Sequence, residues 1–118
     1  MELKQVTPEE LDKISMRQIA SDAFHMVVAE RKRQIETGRT PQRDALYHMG
    51  ELGRAAASYA APKGFRRVGP DNVTPLIWPW HPSTFKSEPQ TVQGRLIELA
   101  KGGALILAEM ERLLLTKS

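Results

Sequence analysis

The alternation of apolar and polar positions divides the chain into helical stretches and one stretch with no period. Thr7-Pro8-Glu9-Glu10 has the form of a helix start, with Thr7 as N-cap, Pro8 at the first helical position and Glu10 completing a capping box. From Met16 to Gln34, the residues Met16, Ile19, Ala23, Met26, Val27, Glu30 and Gln34 recur on one face at the helical period. They belong either to one long helix continuous with that start or to a second one capped by Ser15, ended by Gly38, Thr40 and Pro41. Thr40-Pro41 repeats the start signal and predicts a helix over Asp44 to Ala61, stopped by Pro62. That helix carries Gly50, Gly53, Ala55, Ala56, Ala57 and Ala60. Glycine costs a helix about 1 kcal/mol against alanine, so small residues here predict a second helix packed closely on this one.

Over 62–90 the period disappears. Pro62, Pro70, Pro75, Pro79, Pro82 and Pro89, with Gly64 and Gly69, forbid a long regular element. Loops of that length are functional or disordered, and Phe65, Trp78, Trp80 and Phe85 predict that this one packs onto something. From Val92 to Leu115, Leu96, Leu99, Ala100, Gly103, Leu107, Met110 and Leu114 share a face, with Ile106 and Leu113 beside it, which predicts a strongly amphipathic helix. The expectation is an all-α single domain over 1–118. It has three main helices, a short fourth at the N-terminus if the first pattern breaks, and a long Pro/Trp-rich loop between the second and third. Three such helices cover one another poorly, so an oligomeric bundle is expected, a homodimer or larger.

Composition narrows the classes. A hydrophobic share of 41% and a charged share of 26% over 118 residues are those of a globular chain, not a disordered one. The absence of cysteine removes disulfides, thiolate nucleophiles and zinc sites of the cysteine type, and fits a reducing cytoplasm. Met1-Glu2-Leu3-Lys4-Gln5 is not a secretory start. The most apolar run, Gly102 to Leu115, is broken by Glu109, Glu111 and Arg112 and is too short for a bilayer, so no membrane contact is expected. Seventeen Lys and Arg against fourteen Asp and Glu give a charge of +3, which favours an anionic partner but is sparser than the basic stripe of a duplex nucleic-acid binder.

Several residues could carry chemistry. Glu30 lies within an otherwise apolar face, where a carboxylate needs a cation, a metal or several donors; the alternative is an ion pair with Arg54 or Lys101. His48, Glu51, Leu52, Ala55 and Tyr59 share a face of the predicted second helix. His48 and Glu51, three residues apart, could join Glu30 around a hard divalent cation, or simply be solvated. Glu109 and Glu111 point apart, so they cannot serve one metal; Glu111 lies nearer the apolar face, and Glu109 with Arg112 reads as a solvent-side pair. Arg31-Lys32-Arg33, with Lys63, Arg66, Arg67 and Lys86 among the aromatic residues of the loop, combines phosphate-neutralising cations with stacking surfaces, a combination that suits a nucleotide. The same basic residues also complement a helix dipole, and Trp78-Pro79-Trp80 could equally plug the core. The Gly-rich phosphate loop, the dinucleotide fingerprint and the zinc-protease motif are missing.

Four ordered stretches carry a resemblance: Ala29-Glu30-Arg31-Lys32-Arg33-Gln34-Ile35, then Gly50-Glu51-Leu52-Gly53-Arg54-Ala55-Ala56-Ala57-Ser58-Tyr59, then Trp78-Pro79-Trp80, then Lys101-Gly102-Gly103-Ala104-Leu105-Ile106-Leu107-Ala108-Glu109-Met110-Glu111-Arg112. Over Ala29 to Arg112 the chain resembles a small phage and prophage protein family of mostly unassigned function. More distantly it is similar to the all-α nucleotide pyrophosphohydrolases of the MazG type, which hold magnesium on paired acidic residues one helical turn apart. Here the position three after Glu51 is Arg54, and Glu109 is followed by Glu111 and Arg112, so the expected cage is incomplete. Arg in place of a metal ligand can still hold phosphates.

The favoured expectation is a cytoplasmic protein of the infected host cell that sequesters a phosphorylated nucleotide signal of host defence without cleaving it and without a cofactor. Its expected binding residues are Glu30, Arg33, Gln34, His48, Glu51, Arg54, Tyr59, Trp78, Trp80, Lys86 and Lys101. The first alternative is a magnesium-dependent pyrophosphohydrolase with Glu30, Glu51 and Glu111 on the metal. The second is an inhibitor that binds a host protein through its Pro-rich loop.

Overall fold

The last helix organises the molecule. The computed structural model describes residues 7–11 and 16–116, and within them the elements are α1 (Pro8–Leu11), α2 (Met16–Glu36), α3 (Pro41–Asp44), α4 (Glu51–Ala60) and α5 (Val92–Leu115). The architecture is all-α, with no strand among the described residues. The cap expected at Ser15 lies outside them. The main packing of α2, α3 and α4 is against α5.

Local start signals act as the residue types require. Thr7 Oγ1 accepts from Glu10 N at 3.2 Å, Thr40 Oγ1 from Arg43 N at 3.3 Å, and Thr91 Oγ1 from Gly94 N at 3.0 Å. The helix expected over Asp44 to Ala61 is instead two elements. Residues 45–50 after α3 are non-helical, and Gly50 takes a left-handed φ of 80° as N-cap at the start of α4. His48 therefore stands in the connection, not on a helical face with Glu51.

The α4–α5 contact is close because α5 has a glycine there. A Cβ at Gly102 would meet Ala56 O at 3.1 Å, and Ala55, Ala56 and Ala104 bury against this crossing. On the other flank Val27 of α2 approaches Gly103 so nearly that a Cβ would lie 3.0 Å from it. Gly53, counted among the close-packing residues, has open space at its Cβ.

The core face of α5 also differs from the expected one. Glu98, Gly102, Leu105 and Ala108 are buried, while Leu99, Ile106, Met110, Leu113 and Leu114 are roughly half or more exposed. Apolar residues occupy more than one side of the helix, so periodicity could not tell which side the neighbours occupy. On α2 the first half of the expected face, Met16, Ile19 and Ala23, is exposed, whereas Met26, Val27 and Glu30 are half-buried and Gln34 is buried, with Arg31 buried beside it.

Residues 61–91 form no α-helix. They run through two 3-10 turns, Lys63–Phe65 and Pro82–Thr84, and one bridge between Val68 and Pro75. Trp78 and Phe85 from this loop enter the core beside Tyr59, Leu52 and Leu105, whereas Phe65 is exposed. Glu98 ties the loop to α5: fully buried, it accepts from Glu88 N, Gln90 Nε2 and Arg95 Nη1 at 2.7–3.0 Å, with Arg66 Nη2 at 2.9 Å.

Candidate functional site

The C-terminal turn of α2 builds the site. Gly38, with φ of 105°, donates to Ile35 O at 3.1 Å, and Arg39 N donates to Gln34 O at 2.9 Å. This bond pair is a Schellman ending, in which the residue after the left-handed glycine lies against the residue four before that glycine. Those two side chains are usually apolar. Here they are Arg39 and Gln34, and both line a cavity of about 300 Å³.

Arg31, Arg43, Asp44, Tyr47, Leu52, Trp80, His81, Thr84, Leu105 and Ala108 complete the wall. Thr40 and Pro41 start α3 immediately after the Schellman turn, which brings Arg43 and Asp44 to the same opening. Trp80 stands edge-on to Tyr47 at 5.4 Å and to Trp78 at 5.3 Å, and the Arg39 guanidinium lies over its ring at 5.5 Å.

The cations of this wall differ in what holds them. Arg31, 5% exposed, donates from Nε and Nη2 to Glu111 at 2.8–3.1 Å, from Nη2 to Asp44 at 3.2 Å, and from Nη1 to Arg39 O at 3.2 Å. Burial opposes its charge, but Glu111 and Asp44 outweigh that and raise its pKa. For Asp44 burial wins over Arg31, and its carboxyl is raised. Arg39 and Arg43 have no carboxylate partner among the described residues. Asp44 and Glu111 together outnumber Arg31, so Arg39 and Arg43 leave the opening with a small positive excess.

Gln34, 3% exposed, donates from Nε2 to Glu30 Oε2 at 3.1 Å, while its Oε1 is buried with no donor. Glu30 is gripped by Arg33 through two bonds of 2.7 and 2.8 Å. Burial raises the Glu30 carboxyl, but the bonds from Arg33 and Gln34 outweigh it and leave the pKa lowered. Glu30 is thus ion-paired within its own helix, not with Arg54 or Lys101.

The other expected site residues are placed elsewhere. Tyr59 and Trp78 belong to the aromatic core, at ring separations of 4.9–5.5 Å with Phe85 and each other. Lys101 bridges Glu88 and Lys86 O at 3.0–3.1 Å, and Lys86 N donates to Tyr59 Oη, so both lysines fasten the loop. Arg54 Nε donates to Ile77 O at 3.1 Å. Glu51 Oε1 accepts from Met49 N at the start of α4, and His48 is exposed. Glu109 pairs with Arg112 as expected. Glu30, Glu51 and Glu111 each have their own partner, and among the described residues no three His, Cys, Asp or Glu are grouped as a metal would require.

Of the expected binding residues the cavity gathers Gln34 and Trp80. It adds Arg39, Arg43, Tyr47, His81 and Thr84, which sequence reasoning missed. One signal was present: a Gly38 ending implies that positions 34 and 39 meet. No family model, curated protein or solved structure matches the chain.

Proposed function

We propose that the chain binds a phosphorylated nucleotide in the cavity between the end of α2, α3 and the Trp80 turn, and holds it without cleaving it. The observation that carries this reading is the meeting of Arg39 and Arg43, both without carboxylate partners among the described residues, with Trp80 and Tyr47 around one opening. Guanidinium groups take phosphate oxygens in a fork geometry, and aromatic faces take a base. The cavity volume lies at the lower end of the range typical for small-molecule sites. The resemblance to phage proteins suggests the setting, sequestration of a nucleotide signal made by host defence.

The test is thermal stability against nucleoside triphosphates and cyclic and linear signal nucleotides, with and without magnesium, followed by chromatography of the mixture. A ligand at a hundred times its Kd adds about 2.7 kcal/mol. A shift without magnesium and intact recovered nucleotide is expected, lost in Arg39→Ala/Arg43→Ala. Magnesium-dependent release of monophosphate would replace this reading with the pyrophosphohydrolase, and no shift with any nucleotide would favour a protein partner.

We also propose that the chain self-associates through α5. Val92, Leu99, Ile106 and Leu113 recur every seven residues with Met110 beside them, the spacing of one edge of a coiled-coil seam, while Gly103 on the other edge is covered by Val27 of α2. In the single chain Leu99, Ile106, Met110 and Leu113 are 46–54% exposed. A seam of this kind is complementary to a second copy of itself.

A further inference from the structure

Building on the nucleotide reading of the cavity, we infer that Asp44 reads the base, and that the occupant is a guanine nucleotide whose N1–H and exocyclic amino donors face the Asp44 carboxylate. Asp44 is the last residue of α3, and its backbone is pinned on both sides: its N donates to Thr40 O and its O accepts from Tyr47 N, each at 2.9 Å. The side chain is 2% exposed and lines the cavity. Arg31 Nη2 reaches Oδ2 at 3.2 Å, and none of the described residues donates to Oδ1. Gln34 Oε1, the unpartnered oxygen beside it on the wall, is sealed from solvent. Asp44 Oδ1 is equally unpartnered among the described residues but is not sealed, so it keeps accessible surface, and that surface belongs to the cavity its side chain lines.

An ionised carboxylate only accepts, and a single long bond leaves this one short of donors. Burial accordingly raises its carboxyl, against the opposing pull of Arg31 and Arg39. An occupant that brings N–H groups replaces the hydration that burial removed. Guanine sets its ring N–H beside its amino group, two donors with no acceptor between them. Adenine and cytosine set a ring-nitrogen lone pair beside the amino group, and uracil flanks its N–H with two carbonyls, so each turns an acceptor against the carboxylate. Leu52, Leu105 and Ala108 give the cavity buried apolar walls for a ring, while Arg39 and Arg43 remain for phosphate. Reading the base through its edge needs no free face of Trp80, over which Arg39 lies.

The experiment measures Kd by calorimetry on the full chain for guanosine, inosine, xanthosine and adenosine triphosphates. Inosine lacks the amino group, and xanthosine carries a carbonyl in its place. The wild type is expected to bind the guanosine nucleotide about tenfold or more tightly than the other three, since only guanine brings both donors to a charged acceptor. In Asp44→Asn, which keeps the size of the side chain, Arg31 retains the amide oxygen and the NH₂ end turns to the cavity. That variant should bring guanosine and inosine nucleotides to within about twofold of each other and bind the xanthosine nucleotide more tightly than the wild type does. If Asp44→Asn does not fold, the carboxyl carbon resonance of Asp44 in labelled wild type decides. It should move when guanosine triphosphate is added, and an unmoved resonance overturns the role of Asp44. Inosine or adenosine nucleotide bound as tightly as guanosine by the wild type, or a guanosine preference unchanged in Asp44→Asn, overturns the inference while leaving the cavity reading intact. Binding of none of the four overturns it too, and the broader nucleotide panel then shows whether the cavity reading falls with it.

Discussion

Two tryptophans two positions apart have different work. Trp78 is 6% exposed and donates from Nε1 to Thr84 Oγ1 at 3.1 Å within the core, whereas Trp80 lines the cavity. Trp78→Ala should cost about 3–5 kcal/mol in a denaturant melt. Trp80→Ala should leave most of that stability and weaken nucleotide binding about tenfold by calorimetry. Glu98 is a fully buried carboxylate that ties the loop to α5. Burial would raise its pKa, but Glu88 N, Gln90, Arg95 and Arg66 outweigh burial and lower it. A lowered folded pKa stabilises above the ordinary glutamate value of about 4.3, and that stability is lost as pH falls from there through the folded value. Asp44, raised by burial, acts in the opposite sense, its protonation favouring the fold. Glu98→Gln is expected to lower stability at neutral pH by on the order of 2 kcal/mol and to flatten the fall below about pH 4.3. An unchanged acid limb in urea titrations would show that other carboxylates govern it.

At the scale of elements, endings matter more than helix interiors. The Schellman turn at Gly38 both stops α2 and sets Arg39 against Gln34, so stability and binding share one backbone conformation. Gly38→Ala should cost about 1–2 kcal/mol, the penalty of a left-handed Cβ, and weaken nucleotide binding in the same variant. Gly53→Ala is the contrasting case. It is exposed in α4 with open space at its Cβ, so it should stabilise by about 0.5–1 kcal/mol with binding unchanged. Thermal melts of the two variants must therefore move in opposite directions. The start signals at Thr7 and Thr40 and the stop at Gly38 were legible in the sequence because each acts within one turn. The break at Gly50 was not, because a glycine in an alanine-rich run reads equally well as a helix residue.

The whole molecule leaves a long apolar seam on α5 uncovered. Burial of such a seam in a symmetric pair would remove Leu99, Ile106, Met110 and Leu113 from water at once. Ile106→Glu should therefore convert the assembly to single chains in sedimentation experiments while the circular dichroism stays helical. A wild type that sediments as one chain at all concentrations would show that α5 has no such partner. The cavity is likewise a property of the whole, since Arg39, Trp80 and Leu105 come from three separate stretches of chain.

Amphipathic period, proline spacing and capping residues determined the all-α class, the extent of α5, the C-terminal end of α2 and the non-helical stretch between α4 and α5, because each depends on neighbours within a few positions. Which face of α5 turns inward was decided by tertiary structure, since Gly102 and Gly103 admit α4 and α2 on faces that are no more apolar than the seam left outside. The fate of the charged residues was decided there too. A sequence lists Glu30, Arg31, Arg39 and Lys101 as equivalent charges, but only packing determines that Arg31 meets two carboxylates, Lys101 fastens the loop, Glu30 orients an amide and Arg39 keeps its charge for the cavity.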